Sequence, residues 1–379
     1  MKILHTSDWH LGATLGQYSR IEEQQAFIDQ LCDIIHEQNV RLVLIAGDIF
    51  DTYNPPAAAE QLFYAAMARL AAMGIFVVAI AGNHDSHDRF AAPAPLAHEL
   101  GIKLIATPEC INLNIDGQEV IIAAMPYISE KRINQVIFQD LAGQTEAQMQ
   151  KEFSEKVGEI FDDMSKQFRA DTVNIAMGHF HLYSGKAEGG ERDIVRGGTF
   201  AVDYKHLPKN AQYIALGHLH NAQKIGENTY YSGSPLPYYL SKQVRPKAVY
   251  VAELHPGASA KVEKIILNCP KPIELWEEKT AADALERCAL PSNAYVYIYI
   301  TQEVVISADI VKEMHRLKEG IVDIVPAHEK HEIADKPQFS TLGTTKDEFV
   351  NFYVQSRGAH PVEELLEFFD EFLEEGDSE

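Results

Sequence analysis

Several features that assign a chain to a common class are scarce or missing here. The 379 residues include only four cysteines, and no two of them are spaced as a CxxC pair. Cys32, Cys110, Cys269 and Cys288 therefore carry no zinc or redox signature, and a long chain of this kind needs no disulfides. No apolar run is long enough to cross a bilayer, so we expect no membrane association. The GxxxxGKS/T pattern of a P-loop is also missing, so the sequence predicts no nucleotide-binding loop of that type.

Basic residues are scarce as well, since 33 Lys and Arg stand against 55 Asp and Glu and the formal net charge is −22. Such a chain does not grip nucleic acid through a broad basic surface of its own. DNA could still bind locally, through metal ions or through a basic partner. The N-terminal MKILHTSDWH is typical of a strand that leads into a polar site, and it lacks the apolar stretch of a signal peptide. We therefore expect a cytoplasmic protein.

Strands and helices alternate over the first two-thirds of the chain. Continuous apolar runs predict buried strands at 2–5, 41–46, 75–81, 103–106, 120–124, 173–177, 213–216 and 229–232. Segments with helical periodicity are 22–38, 57–73 and, less regularly, 130–169. Buried strands that alternate with helices favour one mainly parallel sheet covered on both faces. Segments 247–254 and 261–267 then predict a returning hairpin.

The character of the sequence changes at residues 269–272, which read CPKP. Beyond them, a strand at 295–301, a helix at 308–318 and a strand at 321–325 predict a small α/β unit. We therefore expect domains at 1–269 and 270–335, followed by a linker and C-terminal helix at 336–379. Residues 361–375 have a Leu and Phe stripe on one side of a helix. That helix could dock on a partner or fold back on its own domain.

Five clusters of Asp, Asn and His each follow a predicted strand. They are Asp8-Trp9-His10, Gly47-Asp48-Ile49-Phe50-Asp51, Gly82-Asn83-His84-Asp85, Gly178-His179-Phe180-His181 and Gly217-His218-Leu219-His220. Any one of these patterns is usually a polar loop, but all five in the same strand-end position predict a shared site. Ligands in open α/β sheets bind at the carboxyl ends of strands, where neighbouring loops meet.

The residue types in these clusters favour divalent metal ions. Carboxylate, amide and imidazole ligands without thiolate suit Mn or a similar ion. Roughly seven ligands are too many bulky groups for one ion, but two ions that share a bridging carboxylate would use them. Two such ions about 3.5–4 Å apart can clamp the attacking and leaving oxygens of an in-line displacement. The clusters therefore predict a two-metal phosphoesterase.

The motifs DxH, GDxxD, GNHD, GH and GHxH, in this order, resemble those of the calcineurin-like metallophosphoesterases. HTSDWHLG at 5–12, AGNHDS at 81–86 and RGGTFAVDY at 196–204 are similar, more closely, to the bacterial counterparts of the archaeal and eukaryotic double-strand-break repair nuclease. The resemblance covers about residues 1–270. It implies an α/β fold, a β-sandwich flanked by helices, with a small α/β capping domain and a C-terminal helical segment.

The resemblance also implies a role for each site residue. One metal ion would be held by Asp8, His10 and His220, the other by Asn83, His179 and His218, and Asp48 would bridge the two. His84 would stabilise the transition state or protonate the leaving 3′ oxygen, and Asp51 would orient His84. His181, two residues after His179, stays an alternative ligand. The metal would be two Mn²⁺, with Mg²⁺ as the alternative.

By the same resemblance, the protein would be an Mn-dependent DNA nuclease that acts 3′ to 5′ on double-stranded ends and endonucleolytically on single strands and hairpins. Its partners would be DNA and a coiled-coil ATPase, in a heterotetramer, with a homodimer contact through helices near 57–73 and 89–100. A phosphatase or cyclic-nucleotide phosphodiesterase with the same metal core is the alternative, and a catalytically silent scaffold for the ATPase is another. The additional α/β unit argues against the former, and the complete motif set argues against the latter.

Overall fold

The structure, a computed structural model, describes residues 1–128, 145–183, 201–240, 245–302 and 305–327. Residues 1 to 326 form one compact unit. Its centre is a β-sandwich, because two six-stranded sheets pack face to face around a shared apolar core. Leu44 and Val78 of one sheet and Ile122 and Ile175 of the other are fully buried in that core.

The first sheet is parallel over four neighbouring strands. In spatial order its strands are Lys261–Ile266 (β14), Ala248–Glu253 (β13), Lys2–Thr6 (β1), Leu42–Ala46 (β4), Phe76–Ile80 (β5) and Ile102–Ile105 (β6). Strands β1, β4, β5 and β6 run in one direction. Strand β13 is antiparallel to β1 and to β14, which confirms the predicted hairpin.

The second sheet repeats this arrangement. In spatial order its strands are Gln223–Ile225 (β11), Thr229–Tyr231 (β12), Tyr213–Gly217 (β10), Val173–His179 (β9), Gln118–Met125 (β8) and Glu109–Ile115 (β7). The four central strands are parallel, and β11 and β7 close the edges in the antiparallel direction. The carboxyl ends of β9 and β10 therefore lie together.

Helices cover the outer faces of both sheets. They are Ile21–Gln38 (α1), Ala57–Ala72 (α2), His87–Ala91 (α3), Ala94–His98 (α4) and Glu146–Ser165 (α5), with a 3-10 turn at Tyr204–His206. The buried faces of α1 and α2 pack on the first sheet, and that of α5 packs on the second. Helix α1 ends where Asn39 takes a left-handed conformation, with φ 54°, which is a common way to close a helix.

The expectation of a single sheet is wrong, whereas the β-sandwich is confirmed. Segment 120–124 does not extend the sheet of 103–106, because it forms part of β8 in the second sheet. A continuous apolar run shows that a strand is buried on both faces, and strands in the middle of either sheet of this sandwich meet that condition. The predicted helix over 130–169 is observed at 146–165, and residues 130–144 lie outside the described residues.

The small α/β unit has one more strand and one more helix than the sequence predicted. Strands Ile273–Glu278 (β15), Tyr295–Ile300 (β16) and Ile321–Val325 (β17) form a parallel sheet. Helices Ala281–Cys288 (α6) and Ala308–Leu317 (α7) pack on one face of it. Strand β15, with the sequence IELWEE, has too few apolar residues to stand out from a loop.

A short hairpin joins this small unit to the sandwich. Thr14–Leu15 (β2) and Tyr18–Ser19 (β3) form the hairpin, and Leu15 packs with Ile273 and Tyr295 in one apolar cluster. The C-terminal helix predicted at 361–375, and the boundary at 335, lie outside the described residues. Among the helices that the structure describes, none is both long and apolar enough to span a bilayer.

Candidate metal centre

The five clusters converge at one edge of the sandwich. Strands β1, β4 and β5 of the first sheet and β9 and β10 of the second all end at this edge, and each cluster lies at or just after the end of its strand. The contacts described below join the loops across the two sheets. The predicted ligands Asp8 and His179 are fully buried, so they face the interior of the protein rather than solvent.

The backbone of these loops is strained at the ligand positions. Asp8, His10, Asp48 and His218 have φ values of 53°, 44°, 49° and 97°, in the left-handed region that residues with a β-carbon avoid. Main-chain hydrogen bonds hold two of these residues in place: Asp8 N donates to Gly47 O at 2.9 Å, and His10 N donates to Asp48 O at 3.0 Å. Such strain persists only where surrounding contacts enforce it, and it is concentrated at functional sites.

Asp8, His10 and His220 form the first group of candidate ligands. A ligand atom of each lies within 4.8 Å of the others. The Nε2 atoms of His10 and His220 are 3.1 Å apart. Two buried imidazoles at this distance beside a buried carboxylate present lone pairs to one point, which is the arrangement that a divalent ion needs.

Asn83, His179 and His218 form the second group. The Asn83 side-chain oxygen lies 2.9 Å from His179 Nε2 and 3.0 Å from His218 Nδ1. Asp48 stands between the two groups, because its Oδ1 is 3.4 Å from His179 Nε2 and its Oδ2 is 3.7 Å from His10 Nε2. The two oxygens of Asp48 thus face different groups, as a bridging ligand requires.

The charges at this edge favour a cation. Burial raises the pKa of Asp8 to about 6, and the neighbouring Asp48 adds to that rise. Burial opposes a charged His179, but Asp48, Asp8 and the Ala46 carbonyl group together outweigh it and raise the pKa of that imidazole to about 9. Burial lowers the pKa of His220 well below its ordinary value. Burial also lowers the pKa of His218, so His218 and His220 stay neutral and leave two buried carboxylates short of positive charge, which divalent ions supply.

His179 reaches the ligand atoms of the second group. His179 Nδ1 donates to the Ala46 carbonyl oxygen at 2.8 Å, which turns its Nε2 toward Asp48 and Asn83. A hydrogen bond of this kind fixes the tautomer of a metal-binding histidine. His181 is also buried, but its main-chain oxygen accepts from Val202 N beyond the end of the strand.

His84 borders the centre, and its contact with Asp51 differs from the expected one. His84 Nδ1 donates to the main-chain oxygen of Asp51 at 2.6 Å, and His84 N donates to Asp48 Oδ1 at 2.9 Å. The Asp51 carboxylate lies instead 3.3 Å from His10 Nδ1. The carbonyl group of Asp51 therefore orients His84, and its side chain supports His10.

Asp85 ties two ligand loops together. Its side chain is almost fully buried and accepts hydrogen bonds from Ile49 N at 3.1 Å, Phe50 N at 2.9 Å and Gly82 N at 2.8 Å. Three main-chain donors from the loops after β4 and β5 thus converge on one carboxylate. The pattern GNHD contains this residue, but no feature of the sequence shows that it would bind the other loop.

Three further residues line or support the centre, and no motif in the sequence predicts this role for them. A cavity of about 280 Å³ at the centre is bounded on one side by Tyr238 and Tyr239. The Tyr238 ring lies 5.5 Å from that of His10, and the Tyr239 ring lies 5.8 Å from that of His220. Lys247 Nζ donates to the His220 carbonyl oxygen at 2.9 Å. These residues belong to none of the sequence motifs. Only the fold brings them close to the clusters.

Buried carboxylate, amide and imidazole groups at the strand ends of a two-sheet sandwich define a metal-dependent phosphoesterase. The family model of calcineurin-like phosphoesterases matches residues 1–222. The D subunit of nuclease SbcCD from Bacillus subtilis is 36% identical over 97% of each chain. That from Rhodobacter capsulatus is 31% identical over 77% of each chain, and that from Escherichia coli is 29% identical over 74% of this chain and 72% of its own. The chain therefore belongs to the calcineurin-like phosphoesterases and, within them, to the SbcD family of nuclease subunits.

Proposed function

We propose that this protein is the Mn-dependent nuclease subunit of an SbcCD-like complex. It would remove nucleotides 3′ to 5′ from double-stranded DNA ends and cut single strands and hairpins endonucleolytically, in DNA repair, recombination and replication. The similarity to a nuclease subunit over 97% of both chains carries the proposal, because that length includes the small α/β unit as well as the metal centre. A phosphatase with the same centre would not need that unit.

The seven predicted ligands would hold two Mn²⁺ ions, with Mg²⁺ as the alternative, and Asp48 would bridge them. The mixture of carboxylate, amide and imidazole donors, all without thiolate, suits these ions. When bound, the ions supply positive charge that stabilises the charge developing on the phosphoryl oxygens. The protein supplies the fixed geometry, since the strained loops hold the ligand atoms in place before substrate arrives.

His84 would act on the leaving oxygen. Because its Nδ1 donates to a carbonyl oxygen at 2.6 Å, that nitrogen keeps its proton and only Nε2 can exchange one with substrate. In the cationic ring, Nε2 carries the proton that the leaving 3′ oxygen needs. Asp51 would support this step through its carbonyl group and would steady His10 through its carboxylate.

The small α/β unit would cap the centre and steer DNA toward it. The unit contacts the sandwich beside the loop after β1, which carries Asp8 and His10. The cavity of about 280 Å³ accommodates a phosphate with part of a nucleotide, and a longer strand has to extend beyond it. A duplex end would therefore lie across both the centre and the small unit.

An SbcC-like ATPase would be the partner, because the chain has no P-loop of its own. The C-terminal helix predicted from the sequence would dock on this ATPase through its Leu and Phe stripe, with two copies of each subunit in the complex. The two nuclease subunits would meet through α2 and the α3–α4 segment. Large apolar side chains are exposed there, with Tyr64 at 40% and Leu96 at 78%. An ATP-driven complex of this kind would work in the cytoplasm.

A single comparison tests the proposal against its alternatives. The purified chain, alone and with the ATPase, is incubated with Mn²⁺ and end-labelled duplex, hairpin or single-stranded DNA, beside a His84→Gln variant and a small phosphodiester. We expect the duplex to shorten from its 3′ ends. Hydrolysis of the small ester with all DNA intact would support a phosphatase or cyclic-nucleotide phosphodiesterase instead. No hydrolysis of any substrate would support the scaffold.

A further inference from the structure

Arg20, which directly precedes α1, is a charged residue in the interior of the protein. Arg20 is fully buried. Its Nε and Nη2 donate to the two oxygens of Glu23 at 2.6 and 2.8 Å, and its Nη1 donates to the Pro237 carbonyl oxygen at 2.7 Å. A buried charge is unfavourable unless it is paired and fully hydrogen-bonded. The planar guanidinium is paired with Glu23 through a two-pronged contact and donates a third hydrogen bond to Pro237, an arrangement that a lysine could not reproduce.

One side of this ion pair contacts the small α/β unit. The hydroxyl of Tyr295, on β16, donates to Glu23 Oε2 at 3.0 Å. The Tyr295 ring also lies 5.0 Å from the Arg20 guanidinium. Tyr295 packs in the apolar cluster that joins the unit to the sandwich. The small unit therefore contacts the sandwich through the Tyr295–Glu23 hydrogen bond as well as through the apolar cluster around it.

The other side reaches the metal centre. Pro237, which Arg20 binds, precedes Tyr238, and the Tyr238 ring is 5.8 Å from the guanidinium and 5.5 Å from the ring of His10. The Tyr238 hydroxyl donates to the carbonyl oxygen of Trp9. Arg20 thus holds the segment whose tyrosine forms one wall of the cavity.

A neighbouring glutamine completes the connection to the ligand loop. Gln24, one turn beyond Arg20, is fully buried. Its Nε2 donates to the His10 carbonyl oxygen at 2.7 Å, and its Oε1 accepts from Gly12 N at 3.0 Å. The first turn of α1 therefore binds the loop that presents His10 while it binds the small unit.

We propose that Arg20 is a positioning residue that couples the small α/β unit to the wall of the metal centre through Tyr295 on one side and the Pro237–Tyr238 segment on the other. An apolar contact would be sufficient to attach the unit. The ion pair in addition fixes where Tyr238 stands relative to His10. The proposal rests on the proposed function in one respect, because only a substrate that extends from the centre to the small unit depends on their relative position.

The test uses the full chain and variants that act at different points of the connection. Tyr295→Phe removes only the hydroxyl that binds Glu23, Arg20→Lys keeps the charge but loses the fork, and Arg20→Met with Glu23→Met removes both charges. Arg41→Lys is the matched control, because Arg41 makes the same two-pronged contact with Asp116, at 2.6 and 3.0 Å, on the exposed surface. Thermal unfolding and Mn²⁺ affinity are measured for each variant.

The first readout separates DNA from a small substrate. In Tyr295→Phe we expect kcat/KM for duplex DNA to fall about tenfold while hydrolysis of bis(p-nitrophenyl) phosphate stays within about twofold. In Arg20→Lys we expect both substrates to lose about tenfold in kcat with Mn²⁺ affinity retained, since the wall itself moves. Arg41→Lys should leave both activities within about twofold of wild type. Equal losses for both substrates in Tyr295→Phe, or losses that match the fraction unfolded, would mean that the contact is only structural.

The second readout needs no DNA. Hydrogen exchange of the amides at 8–12 and of Leu236, Tyr238 and Tyr239 should become about threefold faster in Tyr295→Phe, because the loops lose a distant support. An unchanged exchange rate there would overturn the coupling whatever the substrate. If wild type hydrolyses the small ester but leaves DNA intact, the nuclease proposal fails while hydrogen exchange still decides the role of Arg20.

Discussion

The main-chain nitrogen of His218 donates to Asp8 Oδ1 at 2.9 Å, so a predicted ligand that follows the first sheet fixes the backbone of a predicted ligand that follows the second. The same carboxylate accepts from the hydroxyl of Ser7 through Oδ2. Asp8 therefore has a structural task besides its proposed role in metal binding. The two tasks can be separated, because an amide oxygen can accept the His218 hydrogen bond but is a weaker ligand than a carboxylate.

Substitution Asp8→Asn should lower metal binding more than stability. We expect the variant to fold and to lose at least one of two bound Mn²⁺ ions at a concentration that saturates wild type, because the charge that holds the first ion is removed. Metal analysis after gel filtration measures the ratio. Asp116→Asn, at an exposed carboxylate, is the control. An unchanged ratio for Asp8→Asn would show that Asp8 is not a ligand.

Substitution His84→Gln should slow the chemical step. General acid catalysis by a positioned side chain contributes about 10²- to 10⁴-fold, so we expect kcat on DNA to fall by about that amount with KM and metal content unchanged. Single-turnover cleavage of labelled duplex measures the step directly. His98→Gln, at an exposed histidine on α4, should cut at the wild-type rate. A His84→Gln variant as fast as wild type would remove His84 from the mechanism.

Substitution Asp85→Asn should destabilise the loops that carry the ligands. The amide side chain offers one acceptor oxygen in place of two, so at least one of three main-chain donors loses its partner. A hydrogen bond to a charged group contributes about 1.5–3 kcal/mol, and we expect the free energy of unfolding to fall by about that amount. Urea denaturation at pH 7.5 measures it. Asp29→Asn, at an exposed aspartate of α1, should change it by less than about 0.5 kcal/mol.

His5 should make the protein less stable in mild acid. Burial lowers the pKa of His5 from 6.5 to about 3. The unfolded chain therefore takes up a proton at His5 as the pH falls below about 6.5, and the folded chain does not until near pH 3. The contribution to stability is complete above this window and is lost as the pH falls through it, by about 1.4 kcal/mol between pH 7.5 and 5.5.

The corresponding variant is His5→Gln, which cannot take up that proton. Its free energy of unfolding should fall by about 1.4 kcal/mol less than that of wild type over the same two pH units, whatever its absolute stability. Urea denaturation at both pH values gives the difference. Tyr213→Phe, which removes the hydroxyl 3.0 Å from His5 Nδ1, should keep the wild-type pH dependence. Identical pH dependence in His5→Gln and wild type would show that another group is responsible.

The sequence predicts more of the metal centre than of the fold. His10 and Asn83 each follow a buried apolar strand, and the carboxyl ends of parallel strands meet, so the convergence of the clusters follows from local pattern. The assignment of 120–124 to a second sheet does not, because burial on both faces is the same in either sheet. Segment 273–278 escaped prediction for the opposite reason, since its apolar residues are too few.

Contacts that depend on packing were beyond prediction from the sequence. The pattern GDxxD contains Asp51, but only the folded loop shows that its carbonyl group binds His84 and its carboxylate faces His10. Tyr238 and Arg20 are more than 200 positions apart and follow no shared motif. Their contact arises because the start of α1 and the segment before β13 lie on the same side of the centre.

The left-handed backbone at Asp8, His10, Asp48 and His218 has a consequence for any attempt to engineer a more robust enzyme. A residue with a β-carbon in this region is less stable than glycine by about 1 kcal/mol or more at each position. A library screened for heat resistance alone would therefore favour glycine at His10 and His218, where no main-chain donor of the described residues binds the side chain, and it would lose two predicted metal ligands. Screens for thermal tolerance need metal retention as a simultaneous requirement.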